Sequence, residues 1–226
     1  KTNEWFAEGA RLLNIDHHPT NDLYGLVNLV VPNAAATAEI LFDLINYMDL
    51  PLDQTIATVL YTGLLTDTGG FRYSNTSPKV MAAASKLLEY GVDGPALSEL
   101  LLEQMTLPQL RLLTRALNGL QLTEDGKISW VSVTDEDLQA TGAVHEDMEG
   151  IVNYPRNIQG VEVGLLFKVI NEQAIKVSMR SAGKVDVAKV AQSFGGGGHV
   201  RAAGARIEGT LDTVVPRVLE QVRLQL

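Results

Sequence analysis

With 226 residues, 46% hydrophobic and 20% charged, the chain has the composition of a folded protein and the length of two modest domains rather than one large one. A formal net charge of −9 argues against a broad basic face that tracks long nucleic acids, so a polyanionic substrate would be small and met by a few local cations together with bound metal. The sequence holds no cysteine, which removes disulfides and zinc-thiolate sites and suits a reducing compartment such as the cytoplasm; no export signal or long apolar span is visible, so no membrane association is expected.

In chain order, residues 11–15 read as a short buried strand that stops at the polar Asp16-His17-His18-Pro19. Ile40, Leu41, Leu44, Ile45 and Met48 recur at helical spacing and predict a helix within 35–48, with a second over 53–66 ended by Gly69 and Gly70. Thr76-Ser77-Pro78 has the form of a cap followed by a first-turn proline, opening a helix over 79–90 that Gly91 closes. Further helical stretches run over 96–102 and 109–117.

The pattern then changes. Ile128, Trp130, Val131 and Val133 suggest a strand, and Thr134-Asp135-Glu136-Asp137 a capped, acidic helix start. Residues 161–170 and 174–179 read as paired strands about the turn Asn171-Glu172, 187–194 as a helix ending at Gly195, and 211–224 as a terminal helix. The division expected is 1–105 as a helix-rich α/β domain, 106–122 as a helical connector and 123–226 as a smaller α/β domain.

Three segments carry chemistry. Asp16-His17-His18 places a carboxylate and two imidazoles on consecutive residues, oxygen and nitrogen donors that suit Mn²⁺ or Mg²⁺, although histidines at a strand end more often make ordinary hydrogen bonds. Asp67 lies at the carboxyl end of an apolar helix, where the helix dipole disfavours an anion; a nearby cation would compensate, and so would backbone amides of the turn through Gly70. Gly195-Gly196-Gly197-Gly198-His199 is either a hinge or a loop whose amides approach an anionic or planar ligand, while Arg180-Ser181 at a strand end offers a guanidinium suited to phosphate.

Together, Asp16-His17-His18-Pro19-Thr20-Asn21, Thr66-Asp67-Thr68-Gly69-Gly70-Phe71, Arg180-Ser181 and Gly196-Gly197-Gly198-His199 with Ala202-Ala203-Gly204 resemble the ordered signatures of DHH/DHHA1 phosphoesterases, over nearly the whole chain. The branch of stand-alone bacterial nano-RNases and 3′-phosphoadenosine 5′-phosphate (pAp) phosphatases is the most similar. The resemblance implies a parallel-sheet DHH domain, present in its carboxy-terminal part, followed by a DHHA1 nucleotide-binding domain. It implies a two-metal site, usually Mn²⁺, with His17 and Asp67 as metal ligands, His18 on the scissile phosphate and Asp16 orienting the histidines. Arg180, Ser181, Gly196, Gly197, Gly198 and His199 would hold the nucleotide.

The activity so implied is cleavage of very short oligoribonucleotides and dinucleotides to mononucleotides and dephosphorylation of pAp; a homodimer is expected by analogy. Alternatives that use the same residues are a phosphodiesterase of cyclic or linear dinucleotides and a non-catalytic nucleotide-binding fragment. One departure stands out. The family places an Asp-x-Asp-x-x-Gly motif and a further aspartate well before Asp-His-His, whereas the residues before Asp16 include no aspartate, and Glu4 and Glu8, in what reads as a helical stretch, are poor substitutes. The chain is therefore expected to hold metal weakly and turn over little.

Overall fold

The computed structural model describes residues 6, 7, 9–171 and 173–226; Glu4, Glu8 and the turn residue Glu172 lie outside them. The chain forms two compact units, Lys1–Gln104 and Met105–Leu226, of mixed α/β structure.

In the first unit, β1 (Leu13–Asp16) pairs in parallel with β2 (Val27–Val30). The strand at 27–30 has no counterpart in the sequence reading, since Asn28 interrupts its short apolar run. Three helices follow, α1 (Thr37–Tyr47), α2 (Gln54–Asp67) and α3 (Pro78–Leu88). The starts of α2 and α3 are set by side chains: the Asp53 carboxylate accepts from the Ile56 amide and the Ser77 hydroxyl from the Val80 amide, each satisfying a donor that the first turn leaves open. Leu60, Leu64 and Leu65 of α2 pack on Val80, Ala83, Ala84 and Leu87 of α3, with Ala35 and Ala36 completing the cluster. A five-residue helix, α4 (Gly94–Ser98), continues into a single π-helical turn over Glu99–Glu103.

In the second unit, α5 (Leu107–Asn118) precedes β3 (Gln121–Leu122), β4 (Ile128–Val133), α6 (Asp135–Thr141), α7 (Asn153–Arg156), β5 (Val163–Asn171), β6 (Ala174–Ser181), α8 (Val187–Gln192), β7 (Gly197–His199), β8 (Ala202–Glu208) and α9 (Leu211–Arg223). The sheet runs β3-β4-β5-β6-β8-β7; β4 and β5 are parallel and the other pairs antiparallel. One face is covered along β4, β5, β6 and β8: Ile128, Val163, Leu165, Phe167, Val177, Met179, Ala203 and Ala205 meet Val187 and Val190 of α8 and Val214, Val218 and Val222 of α9. The opposite face is covered at β4 and β5, where Val131, Val133 and Leu166 meet Leu112, Leu113 and Ala116 of α5 together with Leu138, Met148 and Ile151. The helix expected as a connector is thus core of the second unit, because its apolar face is buried there.

The remaining part of that second face, on β6 and β8, is half-buried or exposed at alternate residues, as period-2 strands with one solvated side require. Among the described residues no helix is long and apolar enough to cross a membrane.

Candidate functional site

Asp16 ends β1, and its carboxylate organises the loop that follows. Oδ1 accepts from the His17 and His18 amides at 2.7 and 3.1 Å and faces His18 Nδ1 at 2.7 Å; Oδ2 accepts from Asn21 Nδ2 at 2.5 Å. Burial would raise this carboxyl group's pKa, but the hydrogen bonds from Asn21, His18 and the two amides outweigh it and hold the group well below the usual carboxylate range. Buried Asn14 extends the network, donating to Asn21 Oδ1 at 2.8 Å and to Asn28 Oδ1 on β2 at 3.0 Å.

The His17 ring is buried, with Nδ1 at 3.2 Å from the Ala34 carbonyl. A carbonyl can only accept, so Nδ1 carries a proton and Nε2 is the ring atom turned toward Asp67. Nε2 lies 3.6 Å from Asp67 Oδ2. The lone pairs of both groups could serve one cation placed between them. Two ligands each about 2.1 Å from one ion sit roughly 3.0 to 3.6 Å apart, so the pair fits a shared metal.

Asp67 is the last residue of α2, the dipole-disfavoured end. A strained turn fixes it: Gly69, Gly70 and Phe71 take φ of 58°, 71° and 60°, and the buried Thr68 hydroxyl donates to the Leu64 carbonyl at 2.6 Å while accepting from the Phe71 amide at 3.0 Å. Asn75 ties this turn to the loop that seats His17, since its Nδ2 reaches both the Asp67 carbonyl at 3.1 Å and the Ala35 carbonyl at 3.2 Å. From below, buried Glu39 accepts from the Ala35 amide at 2.7 Å and pairs with Lys79 at 3.1 Å. Sequence reasoning missed Asn75 and Glu39; an asparagine before a helix cap and a helical glutamate carry no local signal. Asp16, His17 and His18 offer ligand atoms within 4.8 Å of one another. The Asp16 oxygens are already occupied by the loop, which suits an orienting role.

In the second unit Arg180 sits half-buried near the end of β6, and Ser181 ends that strand. Ser181 is turned inward: its hydroxyl donates to Glu162 Oε1 at 3.1 Å and accepts from the Gly183 amide at 2.9 Å. Its side chain therefore holds the turn that follows Arg180. The anchor of that turn is Glu162, which is buried and accepts on one oxygen from the Gly183, Lys184 and Val185 amides at 3.0, 2.6 and 3.2 Å as well.

The glycine run is a turn and a strand. Gly195 takes a φ of 74° just beyond α8. Gly196 lies so close to β8 that a Cβ would meet the Gly204 carbonyl oxygen at 2.2 Å and Ala205 Cα at 2.7 Å; a Cβ on Gly198 would meet the Ala202 oxygen at 2.5 Å. Gly197 alone of the four has open space beside it and no left-handed backbone. The other three are thus required by the chain path, and His199 stands exposed at the end of β7, paired with Ala202. Gly196→Ala should destabilise the second unit by about 1 to 3 kcal/mol, because the obstacle is backbone that cannot turn away; Gly197→Ala should cost well under about 1 kcal/mol by comparison. Urea unfolding of the two variants measures the difference, and equal effects would contradict the close approach.

Residues 131–226 match the family profile described as the DHHA1 domain. A bifunctional oligoribonuclease and PAP phosphatase NrnA from Thermus thermophilus is 40% identical over 217 residues, 95% of this chain. The carboxy-terminal part of this chain is a DHHA1 domain. The protein of the same name from Bacillus subtilis is 31% identical over 89% of the chain. Among solved structures, an exopolyphosphatase-related protein from Bacteroides fragilis superposes with a TM-score of 0.84 at 31% identity, over 96% of the chain. The chain spans 64% of the length of each of these three relatives. DHH-family phosphoesterases are metal-dependent, and the facing His17 and Asp67 are compatible with that chemistry. The DHHA1 match takes in Arg180, the Glu162-anchored turn and the glycine hairpin.

Proposed function

We propose that the protein is a metal-dependent phosphoesterase that degrades very short oligoribonucleotides to mononucleotides and dephosphorylates pAp, with Mn²⁺ as its metal and the cytoplasm as its setting. The observation that carries this reading is the His17–Asp67 pair: a ring tautomer fixed by the Ala34 carbonyl directs Nε2 at a carboxylate oxygen 3.6 Å away, the relation of two ligands to one ion. The names and 30 to 40% identities of the curated relatives support the substrate class. Metal held there supplies a nucleophilic water at neutral pH and neutralises charge on the phosphoryl oxygens. His18, whose ring is half-exposed and oriented by Asp16, would contact the scissile phosphate, and Arg180 with His199 would bind the nucleotide.

The test is release of nucleoside monophosphate from a 5′-phosphorylated RNA dinucleotide, and of phosphate from pAp, with Mn²⁺ or with EDTA. Asp67→Asn is the companion variant. Turnover that needs Mn²⁺ and falls at least about 100-fold in Asp67→Asn is expected, since this change removes a direct metal ligand. Turnover indifferent to both would remove the metal from the reading. Nucleotide binding that ignores Mn²⁺, without turnover, would select the non-catalytic alternative.

A further inference from the structure

The uncovered part of the DHHA1 sheet carries a charge pattern that the site above does not use. Strand register sets it out in rows. Arg180 on β6 pairs with Ala202 on β8, and Ala202 with His199 on β7. Two residues along, Ser178 pairs with Gly204. Two further along, Lys168 of β5, Lys176 of β6 and Arg206 of β8 stand directly side by side. All of these lie on the face opposite the α8–α9 core, and each is half-buried or exposed.

Three adjacent cations across three strands repel one another, because opposed residues bring their Cβ atoms to about 5 Å. Among the described residues no carboxylate forms an ion pair with Lys168, Lys176 or Arg206, although Glu149 lies near enough to Lys168 to act on it electrostatically and Glu208 ends the same strand as Arg206. Burial, then Lys176 and Arg180, push the Lys168 ammonium below its ordinary range, against the opposing pull of Glu149. Such a cluster of like charges is relieved when an anion visits it. Arg180 and the cation row are four strand residues apart, about 13 Å, and the floor between them is only Ser178 and Gly204. One phosphate cannot touch both ends, and the β6 and β8 residues between them are small.

We propose that Lys168, Lys176 and Arg206 form a second phosphate subsite, which takes an internal phosphate of a short single-stranded oligonucleotide whose end nucleotide is held at Arg180 and His199. The inference rests on the nucleotide-binding reading above and adds a length preference to it: ligands that reach the row gain affinity over a mononucleotide.

Calorimetric titration of the chain in EDTA, where no cleavage occurs, with AMP and with 5′-phosphorylated tetra-adenylate tests this. In the triple variant Lys168→Gln/Lys176→Gln/Arg206→Gln the tetranucleotide should bind at least about tenfold more weakly while AMP affinity changes less than about twofold. The salt slope of tetranucleotide binding should fall by roughly 0.7, for the one phosphate charge that the row no longer neutralises. Unchanged tetranucleotide affinity overturns the proposal, and so does an equal loss for both ligands, which would mean a general field. Arg180→Ala separates the two readings: it should weaken both ligands, and if it weakens neither, the end-nucleotide site fails while the triple variant still reports on the cation row alone.

Discussion

His17→Ala should lower Mn²⁺ affinity by about two orders of magnitude or more, and Asn75→Ala by about ten- to a hundredfold. The first removes the ring nitrogen proposed as a metal ligand. The second leaves every ligand in place but unties the Asp67 carbonyl from the Ala35 carbonyl, both of which Asn75 Nδ2 now reaches. Since the neighbouring Ala34 carbonyl fixes the His17 ring, loss of this tie lets the two ligand-bearing segments drift apart. Titration of the chain and both variants with Mn²⁺ followed by calorimetry checks the order. An Asn75→Ala affinity equal to that of the unsubstituted chain would reduce the bridge to a packing detail, and an unaffected His17→Ala would remove the metal assignment.

Glu162→Gln should destabilise the DHHA1 unit by about 3 kcal/mol, because one carboxylate oxygen satisfies three buried or half-buried amides and the Ser181 hydroxyl, and hydrogen bonds to a charged acceptor contribute about 1.5 to 3 kcal/mol each with partial compensation by the amide. The same group confers a pH dependence. Burial raises its pKa, but the bonds from Lys184, Val185, Ser181 and Gly183 outweigh it and leave the carboxyl below its ordinary 4.5 in the folded state. A depressed carboxylate stabilises fully above the unfolded value and loses that contribution as pH falls through the folded one. Stability should therefore decline below about pH 5 in the native chain, with a shallower acid limb in Glu162→Gln. Urea midpoints from about pH 7 down to about pH 3 measure both, and parallel limbs would contradict the assignment.

What the sequence revealed followed from periodicity and caps. The helices α1, α2 and α3 announce themselves through apolar spacing and, for the last two, through Asp53 and Ser77, and β4, β5 and β6 through runs of branched residues. The strand β8 did not, because its inward positions are Ala203, Ala205 and Ile207, and alanine and glycine mask an alternation that larger residues would display. The donor atoms were legible as motifs, yet what holds them was not. Glu162 and Asn75 act across 21 and 40 residues, measured to Gly183 and Ala35, and hydrogen bonding between distant segments leaves no mark in local composition; Glu39, four residues from Ala35, reads as an ordinary helical glutamate. Ser181 shows the converse: it reads as a ligand contact beside Arg180, and the fold commits its hydroxyl to the turn.

The close passage of Gly196 and Gly198 along β8 bears on how such chains diverge. A descendant that had abandoned its substrate would still be compelled to keep these glycines, since the hairpin cannot close over a Cβ. Glycine richness at this hairpin is therefore a record of sheet geometry and a poor witness to retained activity. His199, proposed to hold the nucleotide and exposed at the end of β7, is the position at which the loss of that role would first be written.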